Sequence, residues 1–179
     1  MTAEVRKIPL DIAHIVLETF DIGPDSRKYQ RWRTDDGFEA SDLESVLSES
    51  PFIFAVDWRG WLQEAVEDMA VQLGRLDLDL HHDLGEDGDE GQISVLGRSA
   101  RIRYSMEQDD QFPDVVAAVN DLISTKAHYR MFRSSIDSDG WWFGVLPNSK
   151  WHELDVAAAS AVELMFVQVS PRGDSIGPN

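Results

Sequence analysis

FPDVVAAVNDLISTKAHYRMFRSSIDSDGWWFGVL, residues 112–146, reads as a helix followed by a strand, a turn and a second strand. Phe112, Val115, Val116, Val119, Leu122 and Ile123 recur at the spacing of one helix face. Pro113 suits a first helical position, and Asp114 complements the positive end of the helix dipole. Residues 127–133 and 141–146 have the composition of a strand pair, and the connection Ser134–Gly140 is rich in turn formers. Successive strand residues point to opposite faces, so Trp141 and Phe143 are expected to face one way and Trp142 the other. At least one tryptophan is then left towards solvent or towards a second layer.

Working towards the N-terminus, residues 92–96 and 100–106 read as two strands joined by Gly97-Arg98-Ser99. Leu76, Leu78 and Leu80 alternate with Asp77, Asp79 and His81, the pattern of a half-buried strand with an acidic outer face. Residues 83–91 form a loop by composition. A helix is expected from about Arg59 to Leu73, with Trp61, Leu62, Ala65, Val66, Met69 and Leu73 on its buried face and Gly74 as its C′ residue. Phe52–Val56 suits a buried strand. Ser41-Asp42-Leu43-Glu44 matches a capping box opening a short helix that Pro51 ends. Residues 5–20 fit either helix or strand. Beyond residue 146, Ser149–Leu154 and 157–161 favour helix, and 162–169 suits a last strand or a continuation of that helix. The order predicts a single α+β domain over residues 1–170, a mainly antiparallel sheet with helices packed on it, and a flexible tail over 171–179.

Apolar residues make up 42% of the 179, with six Trp and eight Phe, so a chain of this size can bury a substantial core. Cysteine is absent, which excludes disulfides, thiolate nucleophiles and cysteine-based zinc sites and fits a cytoplasmic protein. The first ten residues carry Glu4, Arg6 and Lys7 without an apolar run, so no signal peptide is expected, and no stretch approaches the length of a membrane helix. Sixteen Lys and Arg against 33 Asp and Glu give a formal charge of −17. Such a field disfavours nucleic acid and anionic membrane and favours basic partners.

The carboxylates are clustered. No Lys or Arg falls between Arg75 and Arg98, where Asp77, Asp79, Asp83, Glu86, Asp87, Asp89 and Glu90 lie. A second stretch free of basic residues, Thr34–Trp58, holds Asp35, Asp36, Glu39, Asp42, Glu44, Glu49 and Asp57. Clustered like charges repel, and a cationic partner relieves that repulsion while gaining association rate. The one basic cluster, Arg27, Lys28, Arg31 and Arg33 interleaved with Tyr29 and Trp32, is expected to be a local salt-bridged surface.

Other chemistries lack their patterns. His81 and His82 are adjacent on a strand and point to opposite faces, so they do not chelate one ion, and residues 86–97 lack the bidentate ligand of a calcium loop. There is no G-x-S-x-G, G-x-G-x-x-G or P-loop, and none of His14, His81, His82, His128 and His152 is tied to a nucleophile by motif. No cofactor or metal is expected. A hydrolase or transferase assembled from scattered carboxylates and histidines stays open, as does an adaptor subunit of a protein complex.

The hairpin, the PDVVAAVNDLI helix, HYRMFR, SSIDSDG, WWFGVLP and the W-x-x-L of Trp151 and Leu154 together resemble small acidic immunity proteins of bacterial contact-dependent growth inhibition and related polymorphic toxin systems. The resemblance covers about residues 92–155 and is one of style. It implies stoichiometric, non-catalytic neutralisation of a cognate toxin, often a basic nuclease. On that reading Asp77, Asp79, Asp83, Glu86, Asp87, Asp89 and Glu90 steer the toxin and Trp142 anchors it. The oligomeric state is left open.

Overall fold

The structure, a computed structural model, describes residues 7–57, 59–85, 90–103, 111–136 and 138–169. Along the chain run β1 (Lys7–Ile8), α1 (Leu10–Thr19), α2 (Arg27–Trp32), β2 (Phe38–Glu39), α3 (Ala40–Leu47) and β3 (Ile53–Asp57). Then come α4 (Leu62–Gly74), β4 (His81–Leu84), β5 (Glu90–Val95), β6 (Arg98–Arg103) and α5 (Phe112–Ile123). β7 (Ala127–Phe132), a 3-10 turn (Arg133–Ser135), β8 (Gly140–Pro147), α6 (Asn148–Ala157), α7 (Ala159–Met165) and β9 (Phe166–Gln168) complete the order. The α+β architecture expected from the sequence is the one found. Among the described residues every strand pairing is antiparallel, in a four-stranded sheet of order β3-β8-β7-β9, a three-stranded sheet β4-β5-β6 and the short pair β1-β2.

The residues that decide this are those of β7 and β8. Tyr129, Trp141, Phe143 and Val145 pack into one core with α4, α5 and the inner face of the three-stranded sheet. Phe132 and Leu146, on the alternate faces of the same strands, pack into a second core with α1, α3, α6 and α7. Period-two alternation thus divides one sheet between two apolar layers, and the four-stranded sheet becomes the middle of three. Close approach on the second face needs Gly144, where an added Cβ would stand 3.1 Å from the Phe20 ring.

α5 seals the first core with the face anticipated from its periodicity, and Pro113 lies in its first turn. Two polar ties hold it. Arg98 Nη1 donates to the carbonyls of Asp121, at 2.6 Å, and Leu122 at the helix C-terminal end. The Asn120 amide grips β7, accepting from Tyr129 N at 2.6 Å and donating to Tyr129 O at 3.0 Å.

Several boundaries differ from expectation. Ser41 does not cap α3. The helix starts at Ala40 behind an extended Glu39 with no side-chain cap, because β2 runs directly into it. α4 starts at Leu62, since Asp57 Oδ1 accepts from Arg59 N and Asp57 O from Gly60 N, holding that segment in a turn. Trp61 is therefore 54% exposed instead of buried. Gly74 is the last residue of α4, and the left-handed residue is Asp77 (φ 56°), with Leu78 N donating to Leu73 O. That kink prevents a strand over 76–80. Leu78 and Leu80 are buried, but the strand begins at His81 and runs through Leu84, into what composition alone made loop.

The next hairpin turns tighter than expected, on Leu96 (φ 54°) and Gly97 (φ 73°) alone, the two positive φ values of a type I′ turn. Residues 162–165 continue α7, and Phe166 to Gln168 form the edge strand β9. Tyr104, Met106 and the tail 171–179 lie outside the described residues.

Candidate functional site

Of the seven carboxylates between Arg75 and Arg98, Asp77, Asp79, Asp83 and Glu90 are exposed, while Glu86, Asp87 and Asp89 lie outside the described residues. Asp83 projects from the outer face of the three-stranded sheet, where β5 and β6 bring Gln92, Arg101, Glu90 and Arg103 beside it. Arg103 Nε pairs with Glu90 at 3.4 Å. Strand pairing has thus carried two cations into a segment that in sequence holds none. The other ion pairs found among the described residues are Lys7–Asp36, Arg130–Asp155 and Lys150–Glu153, and Asp77, Asp79 and Asp83 belong to none of them. Lys7 holds the exposed Asp36 carboxyl at about 2, with Thr34 contributing a second hydrogen bond.

Trp142 does not join this surface. Its neighbours Trp141 and Phe143 fill the first core, so its ring lies on the opposite face of the four-stranded sheet from the layer that holds β4–β6. Its backbone N–H donates to Ser135 Oγ at 2.9 Å, and the residue is 38% exposed. There it walls a cleft of about 310 Å³ with Phe132, Ser134, Lys28 and a stripe of α3 continued by Ser48. The stripe is Ser41, Glu44, Ser45 and Ser48, at i, i+3, i+4 and i+7, while Leu43, Val46 and Leu47 turn into the second core. One wall is aromatic and the other carries hydroxyls and charge. Glu44 is half-buried, and burial raises its pKa against the hydrogen bond from Ser134. Lys28 Nζ donates to Ser48 Oγ at 2.6 Å, and Ser48 Oγ donates to Ser45 O.

The basic cluster around Lys28 forms α2, capped by Ser26 Oγ accepting from Tyr29 N. Arg31 lies over the Trp32 ring and Arg33 over Tyr29. None of the cluster pairs with a carboxylate among the described residues, so aromatic faces and a hydroxyl replace the expected salt bridges.

A third polar group sits on the same face of the sheet as the cleft. Arg130, its side chain 7% exposed, makes a bidentate pair with Asp155 at 2.6 and 2.7 Å and lies 4.2 Å over the Trp151 ring. His128 Nε2 accepts from Arg130 Nε, which leaves Nδ1–H to donate to Asn148 Oδ1 at 2.9 Å, the pattern of a neutral imidazole. Burial lowers the His128 pKa, and the hydrogen bonds from Arg130 lower that of Asp155. Every member has a partner inside the chain, so this group reads as a structural clamp between β7 and α6.

Among the described residues no group of three His, Asp or Glu side chains is placed to hold a metal, and no helix is long and apolar enough to cross a membrane. From the sequence alone Glu44 belongs to a cap and Lys28 to a surface cluster. Their meeting with Trp142 depends on α2 packing on α3 and α3 on α7 at the rim of the sheet, for which local sequence carries no signal. Searches against protein-family models, curated proteins and solved structures found no match to the chain.

Proposed function

We propose that this chain is a non-catalytic binding protein that neutralises a basic protein by covering it, in the manner of a toxin immunity protein. The observation that carries the reading is electrostatic. Asp77, Asp79 and Asp83 are exposed and lack an ion-pair partner within the described residues, in a chain of formal charge −17. Exposed carboxylates without a cationic partner in a strongly acidic chain speed the encounter with a cationic surface and disfavour anionic ones. The test is co-expression with a basic toxin domain encoded beside this chain, followed by association kinetics at several salt concentrations. Survival of the host and an association rate that falls steeply with salt are expected. Reversal of Asp77, Asp79 and Asp83 to Lys should slow association by about tenfold or more and flatten the salt dependence. A toxin that still kills, or rates that ignore the reversal, would remove the reading.

A hydrolase is the second reading, favoured by one contact, Lys28 Nζ at 2.6 Å from Ser48 Oγ in the Trp142 cleft. Against it, the Ser48 hydroxyl donates to Ser45 O, so its proton is committed to the backbone and not shared with the lysine. Ester hydrolysis abolished by Ser48→Ala would reinstate the enzyme.

A further inference from the structure

We propose that the cleft between α3 and β8 receives an arginine side chain of the bound protein, its guanidinium stacked on Trp142 and paired with Glu44. This rests on the reading of the chain as a binder of a basic protein and names the contact at one point of that interface.

Donor and acceptor arithmetic selects the occupant. A guanidinium offers five N–H donors in a plane and accepts nothing. The cleft offers the two oxygens of Glu44 and the hydroxyls of Ser41, Ser45 and Ser134, all able to accept. Glu44 has no cationic partner among the described residues, although Lys28 lines the same cleft, because Lys28 is turned to Ser48. A half-buried carboxylate left in this state is stabilised by an incoming cation, and a charge-assisted bidentate pair is the strongest form of that contact. The opposite wall supplies what the rest of an arginine needs. The Trp142 face, the exposed aromatic of that wall, attracts a cation through its ring quadrupole and offers apolar surface to the aliphatic stem. About 310 Å³ accommodates one such side chain. The chain already builds the same arrangement for itself, with Arg130 stacked on Trp151 and held bidentate by Asp155.

The probe is N-acetyl-arginine methylamide, titrated into the intact chain and followed by tryptophan fluorescence and amide NMR shifts. N-acetyl-lysine methylamide and glucose serve as comparisons. Saturable binding at roughly millimolar level is expected, as for a single anchored side chain. The shifts should centre on Glu44, Ser45, Ser134 and the Trp142 indole, with the lysine probe several-fold weaker. Glu44→Gln should weaken the arginine probe about tenfold, and Trp142→Phe, which keeps a ring, less than Trp142→Ala. Absence of saturable shifts at these residues, equal binding to Glu44→Gln, or tighter binding of glucose or the lysine probe would overturn the assignment. Because the probe reads the cleft alone, its failure leaves the salt-dependent association of the acidic surface standing. Failure of the charge-reversal experiment likewise leaves binding of the probe to be seen.

Discussion

Arg130 and Glu44 are both ionisable groups drawn partly out of water on one face of the central sheet, and the chain treats them differently. Arg130 is enclosed by Asp155, His128 and the Trp151 ring, so the cost of removing its charge from water is offset inside the molecule. Glu44 receives one hydroxyl hydrogen bond and no cation among the described residues. A charge compensated internally holds elements together, here β7 to α6. A charge left uncompensated costs stability and marks where a ligand gains most.

Three perturbations test that contrast, in descending order of effect. Asp155→Asn removes the anion and leaves a buried guanidinium behind, so it should cost about 2–3 kcal/mol in a urea melt, somewhat below the range for a fully buried pair because Asp155 is 44% exposed. A change below the error of the melt would make the pair decorative. Glu44→Gln should go the other way, neutral to about 1 kcal/mol stabilising at pH 7. Its sign follows from the raised pKa. Folding disfavours the charged carboxylate, so the wild-type chain carries that cost above the folded pKa and is relieved of it as pH falls towards the ordinary value of 4.5. The advantage of the glutamine should vanish in acid, and a destabilised variant at pH 7 would show that Glu44 is structural.

The smallest effect concerns His128. Its folded pKa lies below the ordinary 6.5, so the unfolded chain takes up the proton first as pH falls. Stability contributed by the neutral ring is present above pH 6.5 and lost from there down through the folded pKa. Melts of wild type and His128→Gln across that window should diverge modestly, and parallel curves would remove His128 from the clamp.

The elements read best from sequence are those with long, unbroken periods. α5, β7 and β8 sit where residues 112–146 place them, and the opposed directions of Trp141 and Trp142 follow from pleat alone. The side-chain pattern misleads where a backbone kink interrupts it. The Asp57 turn delays α4 and exposes Trp61, and the left-handed Asp77 pushes β4 to His81. The candidate sites were legible only as compositions. The run of carboxylates between Arg75 and Arg98 is visible, but Arg101 and Arg103 come beside Asp83 and Glu90 only through strand register, and Trp142 faces an α3 acid from a distant segment instead of that run.

The grip of Asn120 on Tyr129 completes an otherwise unfinished sheet border. β9 covers only Arg130 to Phe132 of β7, which leaves Tyr129 as the next main-chain donor and acceptor along that border. The asparagine amide occupies both, like a one-residue stub of strand. A leucine there would fill much the same space yet leave a buried amide and carbonyl without partners, a cost of about 1–3 kcal/mol for each orphaned group, so one side chain stands in for the strand that β9 is too short to supply.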